Sequence, residues 1–362
     1  MHLNDTPRTA LSSEPFVSVL IPCRNEGEFI GACLNSVIAN GYPLDRLQVI
    51  VVDGMSTDGT RTIVTAWSAQ HSCITLVDNL RRITPCALNI GIAAALGDVI
   101  IRLDAHATYE PGYIARCVQA LNLCNVGSSG GVWNVKSRGN GLIARAIACC
   151  TSHRFGGAAR YRRISDGDPE IADVVPFFCS TRETLRIVGQ FNEALVRHQD
   201  YEYSARMRRA GFHSMLVPRA VCNYYTRSDI KSFAIHSFRD GYWVTFATAF
   251  TDVLPLCARH AVPMLFAIAM IAGTIIAPLS LAVGWALAAL TGIYLIIMVT
   301  CVTQVATQQR DAKMLLVMPA LFLCRHLLFG IGEAVGLAHA HAARYIWRTT
   351  TSQRRITDVA TR

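Results

Sequence analysis

The chain reads as an α/β protein, a mainly parallel sheet with helices on both faces, followed by C-terminal helices that span or lie on a membrane. Three observations predict this. Short apolar runs alternate with stretches of helical period from Phe16 onward, and three of those runs end in polar groups: Asn25-Glu26, Asp53 and Asp104-Ala105-His106. From Ala261 through Gln309 there is no Asp, Glu, Lys or Arg. Continuous apolar strands interleaved with helices belong to sheets covered on both faces, and about twenty apolar residues cross a bilayer.

Taken in order, Phe16–Ile21 is a β-rich run that Pro22 ends. A helical pattern follows from Glu28 to Ala39, with Ile30, Leu34, Val37 and Ile38 on one face. Gln48–Val52 is a second buried strand, and Thr57 or Asp58 caps the next helix, where Ile63, Val64 and Trp67 recur at helical spacing. Cys73–Val77 reads as a strand, Pro85–Ala95 as a helix and Val99–Leu103 as the strand that delivers Asp104. Pro111 starts a helix through Leu123, where its missing N–H costs nothing. Further on, Gly130–Asn134 and Val174–Cys179 read as strands. Arg182–Val188 is a helix stopped by Gly189, and a helix from Asp200 to Arg209 is closed by Gly211.

The uncharged stretch is long enough for two membrane passes with a break near Pro278–Gly284. Arg310 and Lys313 follow it, and Arg344, Arg348, Arg354, Arg355 and Arg362 mark the tail. The positive-inside rule puts both groups on the cytoplasmic side. Met314–His341, which contains Arg325, His326 and Glu333, then reads as an interfacial or re-entrant amphipathic helix rather than a third span. Met1–Pro15 is polar and has no apolar core of a secretory signal, so the first 250 residues are expected to stay in the cytoplasm. The expected organisation is a polar tail over 1–15, a catalytic domain over 16–250, membrane helices over 251–343 and a basic tail over 344–362.

The net charge of +9 comes almost wholly from arginine, since Lys136, Lys231 and Lys313 are the only lysines. No basic run is interleaved with aromatics, so nucleic acid is not expected as a partner. Thirteen cysteines with no C-x-x-C read as reduced thiols. A dinucleotide-dependent oxidoreductase is disfavoured because the first turn, Pro22–Gly27, lacks G-x-G-x-x-G.

Ligands of such sheets bind beyond the carboxyl ends of the strands. There, Asp104 and His106, two residues apart, offer one hard and one borderline donor to a divalent ion, a set that suits Mn²⁺ at least as well as Mg²⁺. Asp200, at a helix start beside a polar loop, is a candidate general base, though the same position suits an ordinary N-cap. Glu202 stands four residues before Arg206 and reads as a structural pair. Glu193 is a turn acid or an acceptor contact.

VSVLIPCRNE, VIVVDGMSTDGT, ITPCALNIGI, VIIRLDAHA, FFCSTRETLRIVGQFNE and QDYEYSARMRRAG, in this order, resemble a family 2 glycosyltransferase of GT-A fold, a Rossmann-like architecture, and within it the succinoglycan-biosynthesis branch. The resemblance covers about Phe16 to Trp243 and, more loosely, the C-terminal part. It implies that Pro22, Asn25 and Glu26 meet the nucleotide base and that Asp53 contacts the nucleoside, with Gly54 in place of the usual second acid. It implies that Asp104 and His106 hold the metal on a sugar-nucleotide diphosphate. Asp200 would be the catalytic base, with Gln199 where the usual preceding acid stands, and Arg239 would be a diphosphate arginine. It further implies an inverting transfer of a sugar, glucose from a UDP-sugar, to a polyprenyl-diphosphate-linked glycan at the inner face of the cytoplasmic membrane, alongside other glycan-assembly proteins. Gly54 and Gln199 leave a second reading open, a non-catalytic membrane scaffold that binds nucleotide-sugars.

Overall fold

The computed structural model describes residues 11–123, 126–157, 167–251 and 261–360, with side chains as far as Ala343. Residues 1–10 of the expected polar tail and the side chains of the expected basic tail lie outside this set. The chain divides into two compact units, one of residues up to 135 and between 167 and 225, the other of residues 136–157 and from 226 onward. This differs from the expected domain over 16–250: the helix after Tyr225 joins the apolar helices instead.

The α/β unit starts with β1 (Val17–Cys23), α1 (Ile30–Ile38), β2 (Leu47–Asp53), α2 (Thr60–Gln70), β3 (Ile74–Asp78), α3 (Thr84–Ala94) and β4 (Val99–Arg102). It continues with β5 (Ala107–Tyr109), α4 (Tyr113–Leu121) and β6 (Val126–Lys136), whose last residue falls in the helical unit. That unit's α5 (Leu142–Ser152) comes next, and then β7 (Glu170–Ala172), β8 (Cys179–Thr181), α6 (Arg182–Val188), α7 (Gln199–Arg209) and β9 (His213–Tyr225) complete the α/β unit. The strands form one sheet in the order β3-β2-β1-β4-β8-β6-β9-β5, with β7 on β9. The first four are parallel, whereas β8 joins both β4 and β6 antiparallel, and β9 takes β5 and β7 antiparallel. The sheet is therefore mixed, parallel only in its first half.

Two-residue alternation along the parallel strands divides the core. Val17, Val19, Ile21, Val49, Val51, Val99 and Ile101 pack with α1, α2 and α4. Leu20, Ile50, Val52 and Ile100 point the other way, against α3, α6 and α7. Pro22 does not end β1, which runs to Cys23, because β1 has already parted from β4 after Leu20 and needs no donor on that side. Val174–Phe178 is not a strand: Phe177 takes a left-handed φ of 52° just after Pro176, and pairing starts only at Cys179. The helix expected from Pro111 begins at Tyr113, after Gly112 at φ 80°.

In the helical unit, α8 (Ile230–Phe246), α9 (Ala261–Ile276), α10 (Leu281–Gln309) and α11 (Met314–Ala360) follow one another. The break between the first two apolar passes falls at Ala277–Leu279, with the Ser280 hydroxyl capping α10. Among the described residues, three helical stretches, Ala261–Leu279, Leu281–Gln309 and Met314–Ala343, are long and apolar enough to cross a membrane. The third, the segment expected to be interfacial or re-entrant, is one uninterrupted helix. Of its charged residues, Arg325 meets Asp240 of α8 at 3.2 Å, whereas at Glu333 it is the backbone carbonyl, not the buried carboxylate, that accepts from Thr245 at 2.7 Å. Close approach of α8 and α11 requires glycine, since a Cβ on Gly332 or Gly336 would lie 2.2 Å from the Phe238 or Tyr242 carbonyl oxygen.

Candidate active site

The loops after β1 and β2 are built as one clasp. Asn25 adopts φ 55°, a conformation asparagine tolerates, and its side-chain oxygen accepts from Thr57 N at 2.9 Å while its own N–H donates to Ser56 Oγ at 2.8 Å. Glu26 N donates to Thr60 Oγ1 at 2.8 Å and Gly27 N to Asp58 Oδ2 at 3.0 Å. Asp58 also accepts from Thr60 N at 3.0 Å, so it serves the start of α2 although Gly59 is the helix's flanking residue. Pro22 pairs with Val52 at the root of this clasp.

Asp53 sits at the centre of the clasp and is fully buried. Its oxygens accept from Ser56 N at 3.0 Å, from the Ser56 hydroxyl and from Arg61 Nη1 at 2.7 Å. Burial alone would raise its pKa, but the Ser56 donors and the Arg61 guanidinium outweigh it and hold the carboxyl below the usual range. Arg61, half-exposed, reaches on to Asp78 at 2.8 Å, and Asp78 faces Asp53 across the β2–β3 register. Asp78 thus brings a second carboxylate next to Asp53 through the shared Arg61, from β3 rather than from the position of Gly54.

Beyond β4 the chain turns through Asp104-Ala105-His106. The Tyr109 hydroxyl, from β5, accepts from Asp104 N at 2.7 Å and donates to Asp104 O at 3.2 Å. Burial pushes the Tyr109 phenol well above its ordinary pKa, so it stays protonated in this role. The Asp104 carboxylate accepts from Arg102 Nη2 at 2.7 Å, with the two side chains only 16% and 13% exposed. Arg102 is a charge inside an apolar strand; burial works against its protonation, and the fields of Asp104 and then Asp200 overcome it. That arginine therefore lies in the fields of both Asp104 and Asp200. Asp200 is the second residue of α7, after His198 at φ 60°, and it does not cap the helix.

His106 turns its Nδ1 to Glu26 Oε1 at 3.2 Å. Its ring lies edge-on to Tyr224, centroids 5.4 Å apart, and Tyr224 stacks on Trp133 at 4.2 Å and 5°. Among the described residues no three His, Cys, Asp or Glu side chains converge as a closed metal centre. The donor set the strand end offers is one carboxylate and one imidazole. Glu202 is the structural pair the spacing predicts, 2.8 Å from Arg206, and Glu193 accepts from Asn89 at 3.0 Å and pairs with Arg81.

The structure therefore brings Glu26, Asp104 and His106 together, with Asp200 near through Arg102, and places Pro22, Asn25 and Asp53 in the adjoining clasp. Arg239 belongs to the helical unit, exposed on α8. Arg102 and Tyr109 were missed as site residues from sequence. A lone arginine within Val99–Leu103 was the available signal, since a charge in a buried strand demands a partner.

The model of the family "Glycosyl transferase family 2" matches residues 18–186. The chain is 28% identical to the succinoglycan biosynthesis protein ExoA of Rhizobium meliloti, over 59% of this chain and 64% of ExoA, so it spans less than two-thirds of that relative. A dolichyl N-acetyl-alpha-D-glucosaminyl phosphate 3-beta-D-2,3-diacetamido-2,3-dideoxy-beta-D-glucuronosyltransferase of Methanococcus voltae is 26% identical over 60% of this chain and 69% of its own. Among solved structures, the mannosyltransferase PcManGT of Pyrobaculum calidifontis, in complex with GDP-Man and Mn²⁺, shares the fold with a TM-score of 0.55 at 23% identity, covering 90% of this chain and 87% of that one. Residues 18–186, just under half of the chain, thus match the glycosyltransferase family 2 model, and the fold is shared with a solved glycosyltransferase.

Proposed function

We propose that the chain is a membrane-held glycosyltransferase that moves a sugar, glucose, from a UDP-linked donor to a polyprenyl-diphosphate-linked glycan, with inversion, in exopolysaccharide synthesis. The observation that carries this reading is the Arg102 guanidinium at the strand end, 2.7 Å from Asp104 and within the field of Asp200. A divalent ion, Mn²⁺ or Mg²⁺, held by Asp104 and His106 would supply positive charge to the departing diphosphate. One carboxylate and one imidazole fit such an ion when diphosphate oxygens complete its shell, and PcManGT, of the same fold, holds Mn²⁺ with GDP-Man.

Asp200 takes the proton from the acceptor hydroxyl as that oxygen attacks C1 from the face opposite the leaving group. One displacement inverts C1. Arg102 sets a buried positive charge beside Asp104. Asp53 serves the nucleoside indirectly, by fixing the loop of Ser56 and Arg61. The three apolar helices hold the reaction at the lipid surface where the acceptor resides, with the catalytic unit on the cytoplasmic side.

The test is a nucleotide-sugar panel run on membranes with Mn²⁺ or Mg²⁺ and extracted lipid acceptor, reading released nucleoside diphosphate. Metal-dependent release with one donor is the expected result. Donor binding without turnover on any donor or lipid would instead support the scaffold reading that Gly54 and Gln199 motivate.

A further inference from the structure

We propose that Glu26 is the positioning residue of the metal site: its carboxylate accepts a hydrogen bond from His106 Nδ1–H and thereby commits Nε2 to the divalent ion. The inference rests on the metal-dependent reading above. Resemblance gives Glu26 to the nucleotide base, but in the structure its Oε1 stands 3.2 Å from His106 Nδ1, with the side chains 22% and 28% exposed. A carboxylate only accepts, so Nδ1 must carry the hydrogen, and a neutral imidazole then has its lone pair on Nε2. Carboxylate partners of metal-bound histidines act in this way, fixing tautomer and ring direction.

Three further contacts make the pairing a built feature. Glu26 is anchored by its main chain, N–H to Thr60 Oγ1 at 2.8 Å and C=O to Phe29 N and Ile30 N at 2.9 and 2.8 Å, so its position does not depend on its carboxylate. Tyr109 clamps both main-chain groups of Asp104, which fixes the turn that carries His106. Tyr224 closes one side of the imidazole, and is itself held by the parallel Trp133 ring, which leans on Phe177 at 5.6 Å.

The experiment measures Mn²⁺ affinity of the full chain in detergent, by the electron paramagnetic resonance signal of free Mn²⁺ in the presence of UDP, alongside UDP affinity without metal. Glu26→Ala is expected to weaken Mn²⁺ binding about 10- to 100-fold, and Glu26→Gln, whose amide oxygen still accepts from Nδ1, to weaken it less. Both are expected to leave metal-free UDP binding and the melting temperature unchanged. Mn²⁺ affinity unchanged in Glu26→Ala but lost in Asp104→Asn would overturn the inference alone. So would loss of metal-free UDP binding in Glu26→Ala, which would return the carboxylate to the nucleotide. Mn²⁺ affinity unchanged in Asp104→Asn and His106→Ala as well would sink the metal-site reading itself and this inference with it.

Discussion

Two aspartates close two neighbouring regions of the parallel sheet, and the chain treats them in opposite ways. Asp53 ends β2 with the next residues folded back over it: Met55 takes φ 58°, and this brings the Ser56 amide and hydroxyl onto the carboxylate. Arg61 completes the set, and nothing of Asp53 is left exposed. Asp104, past β4, has its main chain rather than its carboxylate clamped, by Tyr109, and its side chain keeps a share of solvent beside Arg102. Both positions read alike in sequence, as an acid after an apolar run. What separates them is where the following turn sends its donors, and this leaves Asp53 closed inside a loop and Asp104 partly open to solvent.

The largest expected effect lies on the Asp104 side. Asp104→Asn keeps an oxygen for Arg102 but removes the charge, and is expected to lower sugar transfer on the order of 1,000-fold, several kcal/mol of barrier, with the melting temperature nearly unchanged. Asp200→Asn is expected to cost about 10²- to 10⁴-fold in transfer while donor affinity holds. Initial rates of nucleoside diphosphate release and a donor titration check both. Full transfer by Asp200→Asn would remove it as the base.

Asp53→Asn is expected to show the reverse pattern. It leaves a buried amide facing donors arranged for a carboxylate, at a cost of about 1–3 kcal/mol, seen as earlier melting, with transfer per folded molecule reduced less than about tenfold. Deep loss of transfer at unchanged melting would mean that Asp53 touches the nucleoside directly, and the contrast would collapse.

How much of this the sequence could tell follows from range. The two faces of β1, β2 and β4 were legible because alternation is local: Leu20 and Val19 differ in partner by the pleat alone. So were the stops at Gly189 and Gly211, both at positive φ. The Phe177 turn was not, since an apolar run with Phe and Val looks like a strand until Pro176 denies it a donor. The antiparallel half of the sheet was equally hidden, because β8 inserts between β4 and β6 through pairings far apart in the chain. Tyr109 stands only five residues after Asp104, but the β5–β9 pairing that anchors its strand is not a local feature. Arg102 was readable as a charge out of place, though not which acids it would serve.

The smallest effect sharpens the comparison most cleanly, because it isolates charge from shape. The folded Asp53 carboxyl lies below its ordinary value of 3.8, with burial opposing the shift and the Ser56 and Arg61 contacts winning. A depressed folded pKa means that the unfolded chain binds the proton first as pH falls. The stability Asp53 contributes is then full above the unfolded value and drains away as pH drops from there through the folded value. Asp58 and Glu193 shift in the same direction, through Thr60 and Gly27 and through Asn89, so the wild-type slope below pH 4 belongs to several groups. The difference between wild type and Asp53→Asn belongs to Asp53. Urea unfolding from pH 6 down to pH 3 should show the two curves running parallel at the upper end and converging below about pH 4. A constant gap across the whole range would show that the amide costs stability through geometry alone, and the charge on Asp53 would then have no part in closing the clasp.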